Sequence, residues 1–219
     1  LDIIDLKRFH KKYYFDEKIC IAIAGNISND IYKIFNESDL SGLKAKISRE
    51  DPHEVIPKKE NSNLLIRIGR EEVKFDNLEF SRIFMAWSIP SLKNQKKIIG
   101  LEILASILSV GRNSKLVKAL KEDNNLAESI YADVNAGELG GILIIEASFD
   151  YKDLVSVEKK INETVEKICA CESITIEELK KGVNIVRSNY VFNLETSTQL
   201  SSFHGNELLW GRKNTLEKI

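Results

Sequence analysis

The apolar positions along the chain fall into two periods. Ile3, Leu6, Phe9 and Tyr13 recur at helical spacing and predict a helix over 3–14. ICIAIAG (19–25) is a continuous apolar run closed by glycine, the pattern of a strand buried on both faces. Ser28 or Asn29 is placed to cap a short helix through Phe35. Residues 38–62 are polar and contain Pro52 and Pro57, so a long loop or linker is expected there. LLIRIG (64–69) and EFSRIFMAWSIP (79–90) read as strands, with Pro90 marking the exit from the second.

The most apolar stretch is IIGLEILASILSV, within 94–110. Ile98, Leu101, Leu104 and Leu108 form one stripe, and Ile99, Ile103 and Ile107 lie beside it. A helix apolar on most of its circumference is expected at the centre of a core. Gly111 suits a helix stop, and Asn113 or Ser114 the start of a short helix through Glu122. Ile130, Ala132 and Val134 alternate over 129–135, GGILIIEASF (140–149) follows, and NAGELGG between them has hairpin chemistry. Asp150 can cap a helix with Leu154, Val157, Ile161, Val165 and Ile168 inward. Thr175 and Glu178 form a capping box for a long last helix carrying Leu179, Val183, Val186 and Tyr190.

Strands joined by a hairpin, between paired helices, predict an α+β fold. The expected sheet is mixed, largely antiparallel and covered by helices. No repeat or low-complexity tract divides the chain, and its length suits one large domain or two small ones.

Composition narrows the class. Hydrophobic residues make up 43% and charged residues 30% of 219, enough for a substantial core. The net charge of −1 and the scattered basic residues exclude a strongly electrostatic partner, so no nucleic acid is expected. No apolar run reaches the roughly 18–20 residues of a membrane span. The chain starts at Leu1 rather than Met and is read as an excised segment of a longer protein. Cys20, Cys169 and Cys171 match neither a zinc knuckle nor a disulfide framework, and they leave the compartment undecided.

Catalytic chemistry is not visible in the residues. His10, His53 and His204 are too far apart for a local ligand motif, so no metal site and no catalytic residue are assigned. There is no nucleophile elbow, phosphate loop or paired-histidine zinc helix. Glu146 interrupts the apolar run ILIIEASF and is read as an outward or strand-end residue rather than a general acid. One pair stands out in LKEDNNLAESIYADV (120–134). Lys121 at a helix end and Glu128 at a strand start flank a polar turn, where both could face one ligand.

WSIPSLKNQKKIIGLEILASILSVGRNSKLVKALKEDNNLAESIYADVNAGELGGILIIEASF (87–149) resembles the second, zinc-free domain of pitrilysin/insulinase-type metallopeptidases, the inverted-motif zinc peptidases that include the mitochondrial processing peptidase. The carrying features are a proline after a strand, a long apolar helix, a glycine followed by N-S-K-L where the family has S-R-L, and a hairpin. LKRFHKKYYFDEKICIAIAGNIS (6–28) resembles the family's lead-in helix, tyrosine and glycine-ended strand. SITIEELKKGVNIVRSNYVFNLET (173–196) resembles its T-x-E-E-L helix.

The resemblance implies a clam-shaped protease whose two halves close around a chamber. The zinc motif, His-x-x-Glu-His, lies on the first domain of a half, where the metal activates water and the glutamate serves as base. None of it occurs here, so zinc is expected in the parent's first domain and no cofactor in this segment. Residues 1–219 would be a single non-catalytic, C-terminal-type domain of a peptidase half that forms the chamber and encloses unfolded peptides. Its implied partners are the adjoining zinc-bearing domain, a second peptidase half in the same or another chain, and a peptide substrate. The alternatives are a scaffold or assembly subunit without peptidase activity, and an unrelated binding module.

In the family, a half opposite the zinc often carries an arginine at the helix end and a tyrosine seven residues later at the strand start, contacting the substrate carbonyl near the metal. Lys121 and Glu128 occupy the matching positions as substrate-binding candidates. Lysine lacks the two-pronged guanidinium. Ionised glutamate cannot donate to an oxyanion. The substitutions imply that this domain does not supply the transition-state pair.

Overall fold

The computed structural model describes residues 2–11, 14, 19–28, 30, 31, 33, 68–75, 78–170, 174–212 and 214–219. The chain forms two compact units: residues 59–190 with 215–219, and residues 1–58 with 191–214.

The first unit is built on three strands, β1 (Ser81–Ile89), β2 (Ser129–Ala136) and β3 (Gly141–Phe149), in the order β1-β3-β2. Both pairings are antiparallel, so the sheet is wholly antiparallel among the described residues rather than mixed. β3 lies at the centre, and its period of two decides what each side faces. Leu143, Ile145, Ala147 and Phe149 point into the core, and Ile142, Ile144, Glu146 and Ser148 point the other way. The register puts Ile83, Met85 and Trp87 of β1 beside Ala147, Ile145 and Leu143 on the covered face. Burying a side chain such as Ile145 contributes about 1.5–3 kcal/mol.

Helices cover one face of this sheet. α2 (Gln95–Ser109) buries Ile98, Ile99, Ala105, Ile107 and Leu108, as its broad apolar surface predicts. Gly111, at φ +90, follows Val110 and turns the chain out of α2, a conformation glycine takes without strain. α3 (Lys115–Val117) continues into a widened turn of helix, Lys118–Glu122, and together they bury Leu116 and Leu120 completely. Ser114 stands at the start of α3, but its hydroxyl donates back to the Gly111 carbonyl instead of capping forward.

α4 (Leu154–Cys169) follows a short 3-10 turn, Tyr151–Asp153, and buries Val157 and Ile161. The expected capping by Asp150 is not made, because its carboxylate lies 3.1 Å from Lys152 Nζ instead. α5 (Ile176–Phe192) has the expected capping box: the Thr175 N–H donates to Glu178 at 2.9 Å, and the Glu178 N–H to the Thr175 hydroxyl at 3.2 Å. α5 buries Gly182 and Val186, whereas Leu179 of the predicted stripe is exposed.

In the second unit, α1 (Ile3–His10) begins at Asp2 with a capping box to Asp5. α6 (Ser197–Leu209) begins at Thr196 with a capping box to Gln199. No strand is assigned at 19–24 among the described residues, and the expected burial on both faces is not found. Ile19, Ile21 and Ile23 are exposed and alternate with half-buried Cys20, Ala22 and Ala24. The run is apolar throughout but alternates in size, so its two faces are not equivalent.

A short helix, α7 (Thr215–Lys218), returns to the sheet unit, where the Gln95 amide donates to Thr215 Oγ1 at 2.6 Å. The expected loop at 38–62, the strand residues 64–67, and Tyr13, Asn29 and Phe35 lie outside the described residues.

Candidate functional site

The turn at 118–129 carries the two residues singled out by sequence. Fully buried Leu116 and Leu120 pin the helix against the core, so the last helical residues and the strand start have fixed positions. The turn then unwinds in steps. The Asp123 N–H donates to the Lys118 carbonyl at 2.9 Å, and the Asn124 side-chain amide to the Ala119 carbonyl at 2.6 Å. Asn125 takes the left-handed conformation, φ +49, which asparagine tolerates. The Leu126 N–H donates to the Leu120 carbonyl at 2.7 Å, and the Glu128 N–H to the Ser148 carbonyl at 2.9 Å, which starts the pairing of β2 on β3.

This backbone brings Lys121 and Glu128 together, as their spacing suggested. The Lys121 ammonium donates to the main-chain carbonyl of Glu128 at 2.5 Å. Both residues are exposed. The contact is therefore a charge-assisted bond to backbone, with the Glu128 carboxylate left on the surface. Beside it, the Arg112 guanidinium donates to both oxygens of Glu122 at 3.3 and 2.8 Å, holding that carboxyl below the usual carboxylate range. The patch carries mixed charge, and its Arg112 and Lys121 donors are each engaged within the chain.

His10 stacks on Tyr14, with ring centroids 4.7 Å apart. His204 Nδ1 lies 3.7 Å from Glu207 on the same helix. His53 and Cys171 lie outside the described residues. Among the described residues no three His, Cys, Asp or Glu side chains are grouped to hold a metal ion. The described side chains are not arranged to hold zinc. Among them, also, no helix is long and apolar enough to cross a membrane.

Glu146 lies mid-strand on the uncovered face, with Phe84 of β1 and Tyr131 of β2 directly opposite on either side. Arg82 approaches its carboxylate at 3.4 Å. Sequence showed the outward carboxylate but not the two exposed rings beside it, because cross-strand neighbours follow from register alone. The signal available was the period of two in SRIFMAWSI, which puts Phe84 on the same side as Arg82 and Ala86.

Comparison with known proteins agrees with this architecture. A family model described as the peptidase M16 inactive domain matches residues 1–186. YmxG of Bacillus subtilis (strain 168), described as an uncharacterized zinc protease, is 26% identical over 221 residues, which cover 98% of this chain and 49% of that protein. The chain thus spans about half the length of the curated relatives it matches. The crystal structure of a protease from Helicobacter pylori superposes with a TM-score of 0.69 at 18% identity, over 100% of this chain and 52% of that one. The peptidase M16 inactive domain from Pseudomonas fluorescens superposes with a TM-score of 0.51 at 12% identity, over 63% of this chain and 34% of that one. At those identities the two solved structures bear on fold alone. The fold they share is the α+β sheet-and-helix arrangement described above, and with the family model spanning most of the sequence, the chain belongs to the peptidase M16 inactive-domain family.

Proposed function

We propose that this chain is the non-catalytic, chamber-forming and substrate-enclosing domain of a zinc-dependent endopeptidase that acts on unfolded peptides. The observation that carries the reading is the inactive-domain match over 1–186, in a chain about half as long as a relative described as a zinc protease. In this reading residues 1–219 act together as the C-terminal-type partner of an adjoining domain that holds the zinc, and a second half closes the chamber.

The turn geometry supports a passive role for Lys121 and Glu128 beside the substrate path. The lysine is engaged with the Glu128 main-chain carbonyl, and ionised glutamate presents only acceptors. The uncovered sheet face supports an enclosing role, because Phe84 and Tyr131 stand exposed on it, flanking Glu146 across the three strands.

The test is made on the full-length gene product, assayed for bound zinc and for cleavage of a quenched unfolded peptide. Zinc together with chelator-sensitive cleavage supports the reading. Lys121→Met and Glu128→Gln are then expected to change the turnover number by less than about threefold, since neither side chain stabilises developing charge. Absence of zinc and of cleavage, alone and with any partner half added, overturns it in favour of a scaffold subunit.

A further inference from the structure

The sheet face turned away from the helices is a grid set by strand register. Phe84, Glu146 and Tyr131 form one row across it, with Glu146 on the central strand between the two rings. Phe84 and Tyr131 are 58% and 56% exposed. Neighbouring strands lie about 4.8 Å apart, so the backbones that carry the two rings are about 9–10 Å apart. An alkyl stem in contact with carbon on both sides takes up about 7–8 Å. A glutamate side chain is shorter than either ring-bearing one. Its carboxylate therefore closes the bottom of a slot that has aromatic walls and room for one unbranched side chain.

The charge on this face is unequal. Arg82, in the next row, approaches Glu146 at 3.4 Å, with 59% of its own side chain and 31% of the glutamate's exposed. Bonds between ions of this kind are usually about 2.7–2.9 Å, so the contact is long and readily exchanged. Asp133, on the far side of the aromatic row, is exposed as well. The three strands thus present one cation and two carboxylates on this face. A second cation entering the slot would meet the ring faces and the carboxylate together. An apolar side chain would gain the rings but desolvate the carboxylate, and an acidic one would be repelled.

We infer that Phe84, Glu146 and Tyr131 form a subsite for a basic side chain, lysine or arginine, of an extended peptide, and that Arg82 is the internal cation it displaces from Glu146. Ile144, opposite Asp133 in the following row, offers the peptide's neighbouring residue an apolar surface. The inference rests on the proposed function in taking the occupant to be a peptide substrate, and it narrows that substrate to segments carrying positive charge.

The test uses the full-length gene product, with chelator added so that no peptide is cut, and reads binding by fluorescence anisotropy. The probe is a short unstructured peptide with a single arginine among uncharged residues. Its control carries citrulline there, which keeps the shape and loses the charge. Wild type should bind the arginine peptide about fivefold or more tightly than the citrulline peptide. Glu146→Gln should bring that ratio below about twofold, and the double variant Phe84→Leu, Tyr131→Leu should lower it as well. Arg82→Gln should raise it by about twofold or more, because the competing cation is gone. A variant that had lost its fold would weaken both peptides and could not produce that gain.

No saturable binding of the arginine peptide, a ratio within about twofold in wild type, or a ratio that Glu146→Gln leaves unchanged overturns the inference. Zinc content and cleavage measured on the untreated sample separate the two readings. A charge preference carried by Glu146 in a product without zinc or cleavage removes the proposed function and keeps the subsite. Zinc and cleavage without a charge preference do the reverse.

Discussion

Lys121 and Glu128 are joined across the turn by a bond from the lysine ammonium to the glutamate's main-chain carbonyl, at 2.5 Å. The link fastens the end of the widened helical turn to the start of β2. It depends on the Lys121 side chain and on the Glu128 backbone, and the Glu128 carboxylate takes no part. Lys121→Met should therefore lower stability by about 0.5–1 kcal/mol, because water reaches the exposed carbonyl and offsets part of the loss. Glu128→Gln should stay within about 0.5 kcal/mol. Urea unfolding followed by Trp87 fluorescence, in a Trp210→Phe background, reads the sheet unit. A larger effect from Glu128→Gln than from Lys121→Met would show that the carboxylate matters after all.

β3 offers a contrast between adjacent isoleucines. Ile145 is fully buried among the core side chains, and Ile144 points to the uncovered face opposite Ala86 and Asp133. Ile145→Ala should cost about 2–5 kcal/mol, since it removes buried methyl groups and leaves a cavity. Ile144→Thr should cost less than about 1 kcal/mol. Equal effects at both positions would mean that the uncovered face is packed in solution.

Much of this was legible in the residues, and the reasons differ by element. α2, β1, β2, β3 and the Thr175–Glu178 box were found because period and capping are local properties. The family resemblance found the fold that the family model then matched over 1–186. α6 was missed although Thr196 and Gln199 spell the same box as Thr175 and Glu178. Its apolar residues are too sparse to announce a helix, and its cap is the stronger signal. The two faces of 19–24 were misjudged because apolar character was read without side-chain size. The aromatic neighbours of Glu146 and the partner of Lys121 depend on register and turn geometry, which no single-residue pattern encodes.

The β2–β3 hairpin leaves no room for a side chain at one position. A Cβ on Gly141 would overlap the Asn135 carbonyl oxygen and lie 2.6 Å from the Ala136 Cα. Both obstacles are backbone, so no rotamer change relieves them. Gly141→Ala should cost at least about 1–3 kcal/mol and loosen the pairing of Ala136 with Gly141. Hydrogen exchange at 134–143 reads the second effect. A variant as stable as wild type with unchanged exchange would contradict the packing described.

Thr215 tests how the last helix is held. It is 1% exposed and accepts from the Gln95 side-chain amide at 2.6 Å, while Lys218 donates to Gln95 Oε1 at 2.5 Å. Thr215→Val preserves shape and removes the acceptor, leaving a buried amide donor less well satisfied. The expected cost is about 1–3 kcal/mol. Thr215→Ser, which keeps the oxygen, should recover part of it. The comparison separates the hydrogen bond from packing, because serine lacks the methyl and valine lacks the hydroxyl.

Glu178 makes stability depend on pH in a predictable direction. Burial pushes its carboxyl up, but the Lys115 ammonium at 2.6 Å and the Thr175 N–H at 2.9 Å outweigh it and hold the group below the ordinary carboxylate value. A carboxyl whose pKa is lower folded than unfolded binds more protons in the unfolded state. Its contribution is therefore complete above the unfolded value, about 4.3, and disappears as pH falls through the folded value. Glu178→Gln keeps an acceptor for the Thr175 N–H but abolishes the charge pair with Lys115. The variant should be less stable than wild type at pH 7, and the gap should close as pH is lowered to about 3. Urea midpoints for both proteins across that range provide the check. A constant gap at all pH values would mean that Glu178 acts by shape and capping, with no share from its charge.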